Sequence, residues 1–431
     1  MSALRAAWQD YREAFALFSR PARRMLMTEL LAWICHGIFA VVFNLYLIEG
    51  GFRERFVGSA ISLNGLGMAM ASIPAGMLAD RWGRARTLVL GAALDAIAQF
   101  TRGTFLDAHA ILAGSFISGV GQAMLAIAAA PFMTEHSSPR ERTHLFSTLF
   151  AATLVAGVVG SILGGEIPGW LGQAGSPVAG NRLLAYRGAL WVAALVNAAA
   201  CLPLLGLLGR EDRTVPEGGP PVTAAERRRL VPIGLNAFLI GAGAGLVIPF
   251  MNLYFARRFD CTSAQIGVYF SFAAVFTAIA SLLGPAVARH LGKLRTAVGA
   301  QVLSLPFLVT LGAESRLPVA VGAFWIRASL MQASTPLVQS FVMEALPPSL
   351  RARSASLITL VWNCGWAVSA TLSGIIIQRV GYDVPFFITA ALYATASTIF
   401  YRAFRGAPEG APPVCEPATI EGRHGEGPLT E

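Results

Sequence analysis

Apolar stretches about as long as a bilayer-crossing helix recur along this chain, at residues 25–48, 57–79, 87–105, 110–133, 145–165, 188–208, 230–255, 266–288, 297–312, 317–343, 355–378 and 384–400. Roughly 20 mostly apolar residues cross the hydrocarbon core as a helix, so the pattern predicts an all-α membrane protein with twelve transmembrane helices. Ahead of the first span, Leu4, Trp8, Tyr11, Phe15 and Phe18 recur at steps of four and three, while Arg5, Asp10, Arg12 and Glu13 fill other faces. That spacing predicts an amphipathic segment over residues 1–24 that lies on the membrane surface. Residues 209–229 are polar and rich in Gly, Pro and Arg and read as a hinge, while residues 405–431, rich in Pro, Gly and Glu, read as a disordered tail.

The pattern occurs twice. Gly76, Asp80, Arg81, Gly83, Arg84, Arg86 and Thr87, at the turn after the second span, are echoed after the eighth by Gly284, Ala288, Arg289, Gly292, Lys293, Arg295 and Thr296, at an offset of 208 or 209. Phe43, Asn44, Leu45 and Tyr46 match Met251, Asn252, Leu253 and Tyr254 at 208, and Phe132, Glu135, Pro139, Arg142 and Ser147 match Phe341, Glu344, Pro348, Arg351 and Ser356 at 209. Independent matches at one nearly constant offset mark an internal duplication. Residues 25–208 and 230–404 are therefore predicted to form two pseudo-symmetric six-helix bundles.

Composition agrees: 431 residues, 55% apolar, 13% charged, with a mean hydropathy of +0.59. The net charge of +9 is an orientation signal, because 23 of the 33 Lys and Arg lie in the set of loops that contains both termini. That set is expected in the cytoplasm, giving a multi-pass protein of the cell (plasma or inner) membrane with both termini cytoplasmic. The basic residues are scattered over separate segments, which gives no support for a nucleic-acid partner. No removable signal peptide is recognised, since the first span is long and follows Arg20, Arg23 and Arg24. Cys35, Cys201, Cys261, Cys364 and Cys415 show no metal-ligand spacing, and the lipase, zincin and P-loop patterns are missing, so neither a metal, a cofactor nor enzymatic chemistry is expected.

The Gly76–Arg86 turn, the duplicated halves and the central hinge resemble the major facilitator superfamily of secondary transporters. The resemblance implies that Gly76, Asp80, Arg81, Gly83, Arg84 and Arg86 form a conformational latch. Asp80 would pair with arginines of its own loop and face the start of span 11 near Arg353 and Ser354 when the cytoplasmic side is closed; a plain solvated loop is the other reading. The second copy has Ala288 at the aspartate position and an extra Leu291. Gly157, Gly160, Gly164 and Gly165 in span 5 resemble the glycine-rich motif of drug–proton antiporters, with Ser161 where that motif has proline, and close helix packing through small residues is the favoured reading of them.

Spans 1, 4, 7 and 10 line the central cavity in this superfamily. Ionisable residues far inside spans are costly and mark such cavities, and His36, Asp95 and Arg327 are the three read as lying well inside. Glu29, Arg102, Glu135, Glu166 and Glu344 fall near predicted ends and are expected to reach water by snorkelling. Arg327 is expected to hold a polar or anionic solute group, or else to pair with a carboxylate such as Asp95 or Glu29; the repeat maps it onto Ser118. Asp95, Gln99 and Arg102 share one face of span 3, as a polar seam or a coupling site. His36, Asp95 and Glu29 are the proton-coupling candidates, and His36, Asn44, Gln122, Asn252, Arg327, Gln332, Asn363 and Trp366 the substrate-cavity candidates. Tyr46, Asn64, Asn236, Tyr254 and Gln339 add neutral polar groups that suit either a solute or helix–helix hydrogen bonds. The expectation is a functional monomer in the lipid bilayer that moves a small organic solute by alternating access, coupled to protons, with efflux favoured over a sugar or organic-acid importer. A non-transporting receptor or assembly factor on the same fold is the remote alternative.

Overall fold

The computed structural model describes residues 18–173, 178–208, 224–346 and 348–406, apart from the side chains at 139, 140, 143, 224–229, 345 and 348–356. The expected surface segment up to residue 17, the hinge at 209–223 and the tail from 407 lie outside the described residues.

Among the described residues the elements are helical: α1 (Arg20–Glu49), α2 (Glu54–Trp82), α3 (Arg84–Thr104), α4 (Ala108–Glu135), α5 (Pro139–Gly172), α6 (Arg182–Leu205), α7 (Ala224–Val247), α8 (Met251–Arg258), α9 (Ser263–Leu291), α10 (Lys293–Ala313), α11 (Leu317–Ala345), α12 (Pro348–Val380) and α13 (Asp383–Phe404). A 3-10 turn, Ile248–Phe250, joins α7 to α8, so these make one membrane-length unit and the described residues hold twelve. Pro249 in that turn lacks an N–H, which explains the break in the helical ladder. Ten of the units are long and apolar enough to cross a membrane by length and composition. The other two, α3 and α11, carry the buried charged residues Asp95, Arg102 and Arg327, which lower their hydropathy.

Local chemistry sets the helix ends. Gly83 separates α2 from α3 at φ 99° and ψ 149°, and its repeat equivalent Gly292 separates α9 from α10 at φ 85° and ψ 153°. That backbone region is essentially closed to residues with a Cβ, so the duplicated glycine turns the chain back within one residue. The start of α9 is a capping box: Gln265 N–H donates to Thr262 Oγ1 at 3.3 Å and Thr262 N–H donates to Gln265 Oε1 at 2.9 Å.

In the first half α1 packs on α5 and α6, α2 on α4, and α3 on α4 and α6; in the second, α7 packs on α12 and α13, α9 on α11, and α10 on α11 and α13. The halves meet most extensively through two helix pairs, α2 with α12 and α5 with α9, and α1 also touches α8 and α9. Both pairs use small residues. Gly58 lies against the backbone of Ala370 and Gly374 against that of Glu54, while Gly165 and Gly267 face each other. The glycine run of α5 thus serves close packing, with Gly160 and Gly164 set against Ile34, Gly37 and Ile38 of α1.

One hydrophobic core, built around Ile38, Tyr46, Phe250, Tyr254, Phe255 and Tyr393, is shared by both halves at the end that carries the Gly50–Arg53 and Phe259–Thr262 turns. At the opposite end, which carries Gly83 and Gly292, the core divides. Leu88, Phe132, Met133 and Leu145 belong to a cluster of the first half, and Leu294, Phe341, Val342 and Phe400 to a separate cluster of the second. The halves are joined at the first end and parted at the second; these are called the closed and open ends.

Candidate functional site

Every hydrogen bond that crosses between the halves among the described residues lies at the closed end. Asn44 Nδ2 donates to Asn252 Oδ1 at 3.0 Å and to Pro249 O at 2.6 Å, while Asn252 Nδ2 donates to Ala40 O and Val41 O, each at 3.1 Å. Thr371 Oγ1 donates to Ser62 Oγ at 2.7 Å, and Ser62 in turn donates to Ala367 O. Ser263 Oγ donates to Gly165 O at 2.9 Å, Ser271 Oγ to Val158 O at 3.2 Å, and Tyr382 Oη to Glu54 Oε1 at 3.3 Å. Asn44 and Asn252, expected in the cavity, are instead buried in this seam, and their hydrogen-bonding groups are occupied there.

On α1, Glu29, Trp33, His36, Ala40 and Asn44 follow steps of four and three and so share one face. Because Ala40 and Asn44 touch the second half, that face looks into the space between halves, and toward the open end it is uncovered: His36 is exposed and Trp33 is 45% exposed. The Trp33 indole N–H is set to donate to the Glu29 carboxylate, and the rings of Trp33 and His36 lie 5.7 Å apart. Trp33 therefore stands between Glu29 and His36. From the second half, Trp366 stacks on Trp362 at 5.1 Å and comes up against Gly65 of α2. Gln332 is exposed on α11, whereas Asn363 is buried.

Gln122 links the cleft to the interior of the first half. Half-buried on α4, it donates from Nε2 to Ser118 Oγ at 3.1 Å and to Asp95 Oδ1 at 3.4 Å. Asp95 also accepts from Ser118 Oγ at 2.5 Å, Asn197 Nδ2 at 2.8 Å and Gln99 Nε2 at 3.4 Å. Arg102 closes the network by donating to Gln99 Oε1 at 2.7 Å and to Ser118 Oγ at 3.0 Å, with its guanidinium over the rings of Phe39 and Phe43.

Arg102 does not snorkel: it is 6% exposed. Partners three and seven residues earlier on its own helix draw it inward, and Gly114 of α4 leaves room for its stem. The carboxylate expected for Arg327 is likewise engaged elsewhere, since Asp95 bonds within the first half. Arg327 itself is buried on α11. Glu135 and Glu344 form ion pairs with Arg84 and Lys293, which are again repeat equivalents at 209.

Of the expected latch, Arg84 is held by Glu135 within its own half, Asp80 is half-buried without an ion pair among the described residues, and Arg81 is exposed. The side chains of Arg353 and Ser354 lie outside the described residues. Asn64, Asn236 and Tyr254 donate to the carbonyls of Ser115, Ala396 and Leu311 on neighbouring helices, the helix–helix alternative for such groups. A cavity of about 700 Å3 opens on the outer side of the closed end, near Glu49, Arg182, Tyr186, Arg257 and Asp260; none of the substrate-cavity candidates lines it.

The family described as the Major Facilitator Superfamily matches residues 25–235 and 233–418. The "Uncharacterized MFS-type transporter YhhS" of Escherichia coli (strain K12) is 22% identical over 378 residues, covering 84% of this chain and 87% of that protein. Among solved structures, a mutant of the nucleoside transporter NupG superposes with a TM-score of 0.71 at 14% identity, covering 89% of this chain and all of that one. A bacterial homologue of the iron transporter ferroportin in an inward-facing state does so at 0.69 and 16%, with 89% and 98% covered. A bacterial homologue of the lysosomal transporter Spinster, inward-facing and unoccupied, does so at 0.67 and 18%, with 89% and 97% covered.

Proposed function

Given that the chain belongs to the Major Facilitator Superfamily, a family of multi-pass membrane transporters, we propose that it exports a small organic solute in exchange for protons across the cell membrane. The observation that carries this reading is the one-sided closure: all cross-half hydrogen bonds among the described residues lie at one end, and the core divides at the other. Such a molecule exposes a central site to one side at a time. The excess of Lys and Arg favours a cytoplasmic open end, and in that orientation this is the loading state for efflux.

In this reading the monomer holds the whole pathway. Solute enters between α1 and the second half, against Trp33, His36, Gln122, Gln332 and Trp366. Glu29 and His36 carry the protons, because they share the uncovered face of α1, while Asp95 neutralises Arg102 inside the first half and keeps a structural role. Movement of Asp80 toward the start of α12 accompanies closure of the open end.

The test is a panel of sugars, organic acids, nucleosides and drug-like cations added to everted vesicles that hold a pH-sensitive dye. Solute-dependent alkalinisation of an acidified lumen, abolished by Glu29→Gln with His36→Asn, is expected. Uptake driven by a solute gradient alone, indifferent to pH, would remove the proton from the scheme.

A further inference from the structure

The two halves treat their buried arginines differently. In the first, Arg102 donates to Gln99 and Ser118, and Ser118 also donates to the Asp95 carboxylate, so cation and anion share one hydroxyl. Ser118 is the repeat equivalent of Arg327 at 209. Both halves thus bring a guanidinium to the same place, the first from α3 and the second from α11.

The anion is not duplicated. At the repeat position of Asp95 stands Ser304, whose hydroxyl donates to Gln301 O at 2.6 Å. Arg327 is 3% exposed, its Nε, like that of Arg102, is buried with no acceptor, and, unlike Arg102 beside Asp95, it has no carboxylate near it among the described ion pairs. The Tyr393 hydroxyl is set against it. A buried cation is retained only where something offsets its lost hydration. A planar fork of N–H donors is the group that matches a carboxylate with two parallel bonds.

We propose that Arg327 binds a carboxylate of the transported solute, with the Tyr393 hydroxyl as a second donor. This deepens the transport reading, on which it rests, by naming the solute class as organic carboxylates. The bound anion does for the second half what Asp95 does permanently for the first.

The experiment uses the purified full chain without transport. The probes are acetate, benzoate and succinate, each beside its amide. Arg327→Met is expected to melt at or above the wild-type temperature without ligand, because it removes an uncompensated charge. At least one carboxylate should raise the wild-type melting temperature while its amide does not. Arg327→Lys should fold normally and bind that carboxylate roughly tenfold more weakly or worse, having lost the fork. A lower melting temperature or loss of folded protein for Arg327→Met, with Arg327→Lys unchanged, would mean a structural partner for the charge and overturn the proposal. So would carboxylates acting no better than their amides. Either result can occur while vesicle transport still stands, so the two readings fail separately.

Discussion

Asn44 donates to Asn252 at 3.0 Å, and the two residues occupy the same position in the two halves, 208 apart. A residue that meets its own repeat equivalent lies on the pseudo-twofold axis, so the closed end is sealed at the line about which the halves are related. The pair is not used symmetrically. Asn252 Nδ2 reaches two α1 carbonyls and its Oδ1 also accepts from Leu253 N–H, whereas Asn44 gives its amide to Asn252 and Pro249.

Asn252→Ala should therefore open the closed end more than Asn44→Ala. Each lost bond at this buried place contributes about 1 kcal/mol, roughly a fivefold change in population. Spin labels replacing Arg53 and Arg379, exposed at that end in opposite halves, should report a longer distance in Asn252→Ala. Equal distances in both variants and the parent would show that the asparagines do not hold the seam.

Asp95→Asn should be severe because it leaves Arg102 without its anion, a loss of about 3–5 kcal/mol for a buried charge stripped of its partner. Thermal melting of the purified protein measures it. Adding Arg102→Gln to Asp95→Asn should restore part of the loss, and strict additivity of the two changes would argue that they do not interact.

The two repeat-equivalent ion pairs should matter little for folding. Arg84–Glu135 and Lys293–Glu344 are partly exposed, and such pairs are worth about 0–1 kcal/mol. Glu135→Gln should shift melting slightly, Glu344→Gln less because that pair is more exposed, and both shifts should shrink in high salt. A large, salt-independent loss would refute this assignment.

Asp80→Asn should leave the open-end state intact, since Asp80 forms no ion pair in it among the described residues, and should weaken the closed-inward state. Labels at Arg81 and Arg289, both exposed, should lose their short-distance population in the variant. An unchanged distribution would discard the latch.

At the closed end, burial together with the Glu54 carboxylate holds the Tyr382 phenol above the ordinary tyrosine range. Its folded-state value is raised, so the contribution is complete below the unfolded value of about 10 and is lost only as pH rises through the higher folded value. Tyr382→Phe should therefore lower stability by a similar amount, about 1 kcal/mol, at neutral and mildly alkaline pH. A deficit that disappears below the ordinary tyrosine value would contradict the raised phenol.

Apolar run lengths were enough to find the twelve units, and a constant offset was enough to pair them, because both depend on local composition. The glycine turns at Gly83 and Gly292 were likewise visible. Arg102 turns inward although its closeness to the end of α3 suggests an outward route, because a helical period defines a face without saying what stands opposite. The small residues Gly114, Ser118 and Gly121 in α4 were the available sign that a large polar group could be received there. The repeat made Asn44 and Asn252 equivalent, but only the packing of one bundle on the other decides that they meet.

The seam itself is made largely of hydroxyls and amides on opposing carbonyls: Ser62 and Thr371, Ser263 on Gly165, Ser271 on Val158. Water can take up each of these groups when the helices part, so each bond contributes only about 1 kcal/mol net. Parting the helices swaps one set of bonds for another of similar strength, so the closure behaves as a zip that can be undone and remade, not as a weld. What tips it is then any agent that changes the wetting of the space between the bundles. On the transport reading proposed above, a solute that dries that space would bias the seam on the far side of the membrane without touching it.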